Sequence, residues 1–283
     1  TKVDNSRKKR NYLLLGMLAI ALAIFFYWCF GDDWISIGIF TACIVFPVSI
    51  LLEGSLTKIE RSRIFVIYII AFFVIFFWAA YEQAGASLTL FAAEQTDRFV
   101  LGWEVPASWI QSFNPFFVVI LAAIMPGIWG FLNKRDAEPA SPTKQAIGLL
   151  LLSLGYLVIC FGVKDTQPGV KVSLIWLTGL YFIHTVGELC LSPIGLSMVN
   201  KLTPLRFASL MMGIWYLSMS TANKFAGTLS GLYPEDGKVK TLLGFRIETM
   251  FDFFMVFVIM SGVASLILFL LSKKLQKMMH GVE

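Results

Sequence analysis

Apolar residues in this chain fall into eight long runs, 12–30, 35–52, 64–91, 109–132, 145–163, 172–199, 207–231 and 244–272, separated by short polar segments. A bilayer core about 30 Å thick, crossed at about 1.5 Å per residue, needs runs of this length. Within each run the apolar residues continue around every face instead of forming a stripe, so the surrounding solvent is lipid. The pattern predicts an all-α integral membrane protein with eight transmembrane helices. Gly31-Asp32-Asp33-Trp34 is a tight polar turn, making a helical hairpin of the first two runs. The polar segment 57–63 then separates residues 1–57, a charged start plus the hairpin, from a six-helix unit over 58–283.

Composition agrees with this. Only 14% of the 283 residues are charged and 57% are hydrophobic, with a mean hydropathy of +0.75; a soluble domain carries about a quarter charged residues. The net charge of +5 therefore points to membrane orientation and not to nucleic acid. With the N-terminus taken as cytoplasmic, sixteen of the 23 Lys and Arg residues fall in segments on that side, six on the other, and Lys224 within the seventh run. The positive-inside bias places both ends in the cytoplasm. The four cysteines (29, 43, 160 and 190) all lie in apolar runs without zinc or disulfide spacing, and read as small buried hydrophobes. The chain opens on Thr1 with no signal peptide ahead of the first run, as a piece of a longer chain or a trimmed one would. No enzyme motif such as GxSxG, HExxH or a P-loop occurs.

The informative residues are the polar ones inside the runs. Glu188 sits mid-run, where a charge costs roughly 2.5–3.5 kcal/mol on insertion scales. Pro193 and Gly195 follow, and are expected to kink the helix or let it bend. A carboxylate beside a flexible break suits a carrier that binds a cation or takes up a proton. His184, one turn before Glu188, is either a proton partner or a hydrogen-bonded structural histidine. In the third run Glu82 and Gln83 must face other helices or a water-filled cavity, with Gly85, Ala86 and Ser87 permitting close helix approach. Glu82 either serves function or pairs helices; Trp78, on its face, is read as packing. Asn114 lies beside Pro115, which is expected to leave carbonyls unpaired, so the pair either holds an ammonium through oxygens or bonds a neighbouring helix. Trp215 walls a cavity or packs. Lys224 is read as a snorkelling side chain.

Taken together, 77–83 with Ser87-Leu88-Thr89, Asn114-Pro115, Gly187-Glu188-Leu189 through Ser192-Pro193-Ile194-Gly195-Leu196, and 206–215 resemble the proton-dependent oligopeptide transporters of the major facilitator superfamily. The resemblance covers a C-terminal half, with 12–52 similar to the two helices that bacterial members insert between their six-helix halves. It implies proton-driven symport of di- and tripeptides by alternating access across the bacterial inner membrane, with protons as coupling ion and no cofactor. Glu188 with Asn114 would receive the peptide amine, Trp78, Trp215 and Ser192 would line the site, and Glu82, Glu188, Pro193 and Gly195 would couple and gate. The partners implied are peptides, the bilayer and a missing N-terminal six-helix half. Two other readings remain at this point: a non-transporting membrane subunit or scaffold, and a facilitator carrying nitrate or organic anions.

Overall fold

The computed structural model describes residues 2–164, 170–235, 238–242 and 244–282. Thr1, and the side chains of Lys2, Arg7 and Lys8 used in the charge count, lie outside what is described. The helices are α1 (Lys2–Phe30), α2 (Trp34–Leu51), α3 (Lys58–Tyr81), α4 (Ser87–Glu94), α5 (Ala107–Ile110), α6 (Phe113–Asn133), α7 (Ser141–Val163), α8 (Leu174–Leu202), α9 (Ala208–Ser230) and α10 (Met250–Met278). Among the described residues seven helical passages are long and apolar enough to cross a membrane, α3 and α4 counting as one passage and α5 and α6 as another. The eighth, α9, carries Ser218, Ser220, Asn223 and Lys224 and falls short by hydropathy alone; it still packs as a full-length helix against α3 and α2.

Several predicted boundaries move, each for a local reason. α3 begins at Lys58, inside the polar segment 57–63. Thr57 and Glu60 form a reciprocal capping box there, with Glu60 N–H on Thr57 Oγ1 at 3.2 Å and Thr57 N–H on Glu60 Oε2 at 2.8 Å, which satisfies two orphan amides. The third run is not one helix: α3 stops at Tyr81, a 3₁₀ turn spans Glu82–Gly85, and α4 follows. α10 starts at Met250 instead of 244, because Thr249 and Asp252 make a second capping box and residues just before it pair as strands. Pro115 does not free a carbonyl in mid-helix; it lies in the first turn of α6, where a missing N–H leaves nothing unpaired. α8 runs unbroken through Pro193.

Among the described residues, three short strand pairs, unforeseen in the sequence, tie the loops. Thr96–Asp97 pairs in parallel with Val172–Ser173, Phe99–Val100 with Trp103–Glu104, and Lys240–Leu242 with Phe245–Ile247. The first joins the end of α4 to the start of α8, and so straps two passages at the same end of the bundle.

The core lies where α7, α8, α10 and α3 meet. Tyr156 of α7 stacks on Phe257 of α10 at 4.8 Å and donates to the Ala80 carbonyl at 2.6 Å, an acceptor at the end of α3. α7 and α8 approach backbone to backbone. A Cβ built on Gly148 would meet the Gly187 carbonyl at 2.9 Å, and one on Gly187 would meet the Gly148 carbonyl at 2.9 Å. Gly148, Gly155 and Gly162 recur every seven residues on α7, and all three face α8 side chains or backbone. Small residues permit such contact in lipid, where helices associate through packing and not by hydrophobic exclusion. Gly85, by contrast, has nothing within 4 Å of where a Cβ would stand, so close approach is not its role.

The hairpin α1–α2 lies against the bundle through α9. Asp33, the N-cap of α2, pairs with Lys224 at 2.5 Å, and Cys43 Sγ lies 2.9 Å from Thr221 Oγ1. Lys224 is thus an ion-pair partner. Cys29 is exposed and Cys43 half-buried, unlike the buried Cys160 and Cys190.

Candidate functional site

The end of α3 gathers the polar residues. Its 3₁₀ turn separates the neighbours Glu82 and Gln83. Gln83 turns inward, fully buried, and its amide donates to Ala79 O at 3.1 Å and to Ala226 O of α9 at 3.0 Å, while Ser87 Oγ donates back to Gln83 Oε1 at 2.6 Å. Glu82 turns outward and is exposed, with no hydrogen bond or ion pair among the described residues. Among the described residues it pairs no helices.

Tyr81, one residue earlier, reaches α8. Its hydroxyl donates to Glu188 Oε2 in a short contact, and the Asn114 amide from α6 lies in short contact with the Tyr81 oxygen. The same Asn114 Nδ2 stands 3.0 Å from Glu188 Oε2 and 3.1 Å from Thr185 Oγ1. Thr185 in turn donates to Tyr181 O at 2.7 Å. Three passages thus converge on one carboxylate. Donors occupy Oε2, whereas Glu188 Oε1 and Asn114 Oδ1 take no hydrogen bond among the described residues. Glu188, Asn114 and Tyr81 are half-buried. The residues present two fixed acceptors to whatever enters, a geometry that fits an ammonium group.

His184 does not face Glu188. Fully enclosed in the core, its Nε2 lies 3.1 Å from Leu152 O of α7 and its ring 4.8 Å from that of Tyr156. It is a hydrogen-bonded histidine of the α7–α8 interface. Trp78 is buried at 8% exposure with its ring 5.3 Å from Tyr81, and Trp215 at 2%, wedged where a Cβ on Gly195 would meet its indole at 2.6 Å. Gln145 adds a third contact at that point, donating to Leu191 O at 2.9 Å. Ser192 lies half-buried one turn beyond Glu188, and Pro193 is exposed. The structure brings together Glu188 and Asn114; it adds Tyr81 and Thr185, which sequence reasoning did not assign. Thr185 lies three residues before Glu188 on one helical face, a signal the spacing carries.

A bundle of apolar helices long enough to cross a membrane, with a carboxylate held inside it, is a multi-pass membrane architecture, and known proteins share it. Residues 35–243 match the profile of the POT family. The chain belongs to that family. It is 37% identical over 185 residues to the peptide transporter YePEPT of Yersinia enterocolitica, covering 65% of this chain and 36% of that protein. It is 30% identical over 218 residues to dipeptide and tripeptide permease A of Escherichia coli, covering 77% of this chain and 43% of the permease. Among solved structures, a mutant of the peptide transporter POT in complex with alafosfalin superposes with a TM-score of 0.75 at 29% identity, covering 97% of this chain and 54% of that one. The chain spans about a third to a half of these relatives' length.

Proposed function

We propose that this chain forms the C-terminal half of a proton-coupled symporter of di- and tripeptides, a carrier and not an enzyme. Residues 1–57 supply the inserted hairpin and 58–283 the transport bundle, with the N-terminal six-helix half as the partner that completes the cavity. Both ends are cytoplasmic in this reading, on the positive-inside count, and the membrane is the bacterial inner membrane. Protons are the coupling ion, and no cofactor is involved.

The observation that carries the proposal is the convergence of Tyr81 and Asn114 on Glu188 Oε2, which leaves Oε1 for the peptide's α-amino group. An arriving ammonium is attracted to the carboxylate, and the proton that travels with the peptide is carried on a separate acid. Alternating access then moves both across together. Glu82, exposed on the bundle surface, is assigned to coupling and gating, and Pro193 with Gly195 to bending of α8. Trp78, Trp215 and Ser192 border the peptide's path. The test is dipeptide-driven proton uptake by the complete protein in liposomes. Glu188→Gln should abolish it, and wild-type coupling in that variant would sink the assignment.

A further inference from the structure

Where the hairpin meets the bundle, the starts of α1, α3 and α9 and the end of α2 enclose a groove of about 690 Å³, lined by residues remote in sequence from the Glu188 cluster. Two arginines face into it, Arg10 from α1 and Arg61 from α3. Both are exposed, and neither makes a hydrogen bond or ion pair among the described residues. Two other arginines at this end of the bundle are engaged instead with the protein. Arg206 donates to Glu60 at 2.9 Å and to Ser55 O at 3.1 Å, and Arg63 donates to Met279 O at 3.1 Å. Glu53, the carboxylate in the lining, pairs with neither arginine.

The groove is also placed at a boundary. Tyr12 opens the first apolar run and Leu52 closes the second, so the two guanidiniums stand where hydrocarbon gives way to water. Below them the lining turns apolar, through Tyr12, Leu15 and Leu210, with Tyr12 71% and Leu210 39% exposed. Two free cations over a lipid-facing apolar slot suit an amphiphile with an anionic head. A soluble phosphate would use only the upper half.

We propose that this groove binds an anionic glycerophospholipid from the surrounding bilayer. Its phosphate bridges Arg10 and Arg61, and its acyl chains lie along Tyr12, Leu15 and Leu210. Basic pockets between helices at the membrane rim recognise such headgroups, and guanidinium forks match phosphate oxygens. Because Arg10 belongs to the hairpin and Arg61 to the bundle, the lipid ties one to the other.

The test uses the complete protein containing this chain, in phosphatidylcholine nanodiscs titrated with phosphatidylglycerol. Each rim cation is worth about fivefold in affinity for an anionic surface, so half-saturation in R10Q/R61Q should rise roughly 25-fold. Native mass spectrometry should show one retained phosphatidylglycerol fewer. R10K/R61K, which keeps the charge, should recover part of the affinity. K273Q/K274Q, which removes two exposed charges from the last turns of α10 at the same end, should bind as wild type does. Equal binding in R10Q/R61Q and wild type, or equal loss in K273Q/K274Q, overturns the site. So does protection by inorganic phosphate matching that by the lipid. Should R10Q/R61Q fail to fold, a photoactivatable phosphatidylglycerol decides on the wild type: labelling of the segment holding Tyr12 and Leu15 supports the site, and its absence overturns it.

Discussion

Asn114 Nδ2 stands 3.0 Å from Glu188 Oε2, so an amide on α6 fixes a carboxylate on α8. Asn114→Ala removes this donor and the free Oδ1 acceptor together. Peptides with a free amino group should lose roughly tenfold in affinity, the worth of one hydrogen bond to a charged group, and amino-blocked peptides far less. Competition binding with matched peptide pairs on the complete protein measures this, and equal losses would take Asn114 out of the amine site.

Tyr81→Phe keeps the ring stacked on Phe77, 5.4 Å away, and deletes only the hydroxyl that meets Glu188. A charge-assisted bond of this kind is worth about 1.5–3 kcal/mol. Peptide affinity, measured by competition binding on the complete protein, should fall by at least tenfold. An unchanged affinity would make Tyr81 a packing residue.

Gly187→Ala pushes a methyl to 2.9 Å from the Gly148 carbonyl, which is backbone and has no rotamer to give. Overpacking costs about 1–3 kcal/mol, so thermal unfolding in detergent should come several degrees lower. Gly213→Ala, with nothing within 4 Å, should leave the midpoint unchanged. Equal behaviour of the two variants would remove the close contact from the account.

Asp33 carries a pH dependence. The bond from Lys224, with help from Ser36, holds its carboxyl down from the ordinary 3.8 to about 2. A depressed acid stabilises the folded state at pH above its unfolded value and loses that contribution as pH falls through the folded one. The difference in melting temperature between wild type and Asp33→Asn should therefore be constant above about pH 4 and shrink between there and pH 2. A difference that grows on acidification would contradict the pairing with Lys224.

The long apolar runs were legible because lipid leaves a helix no alternative. What the runs hide is direction. With apolar residues on every face, periodicity does not say that Trp215 points into Gly195 or that His184 turns to Leu152 instead of Glu188. The break after Tyr81 was hidden for a related reason: Glu82-Gln83 reads as one polar spot, and only the 3₁₀ turn sends one side chain outward and the other to Ala226. Tyr81 lies within the motif 77–83, but its role does not follow from the sequence, which does not say that its hydroxyl reaches Glu188 on α8. The seven-residue recurrence of Gly148, Gly155 and Gly162 was there to be read; it marks the face of α7 that meets α8.

That contact has a mechanical consequence. With the peptide carbonyls of Gly148 and Gly187 each blocking the space above the opposite glycine, the backbones of α7 and α8 lock together immediately before Glu188. Pro193 and Gly195 lie beyond it, toward Leu202. A bend of α8 at that end would therefore have to release Gln145 of α7 from Leu191 O and Trp215 from Gly195, while the glycine contact keeps the level of Glu188 in register with α7.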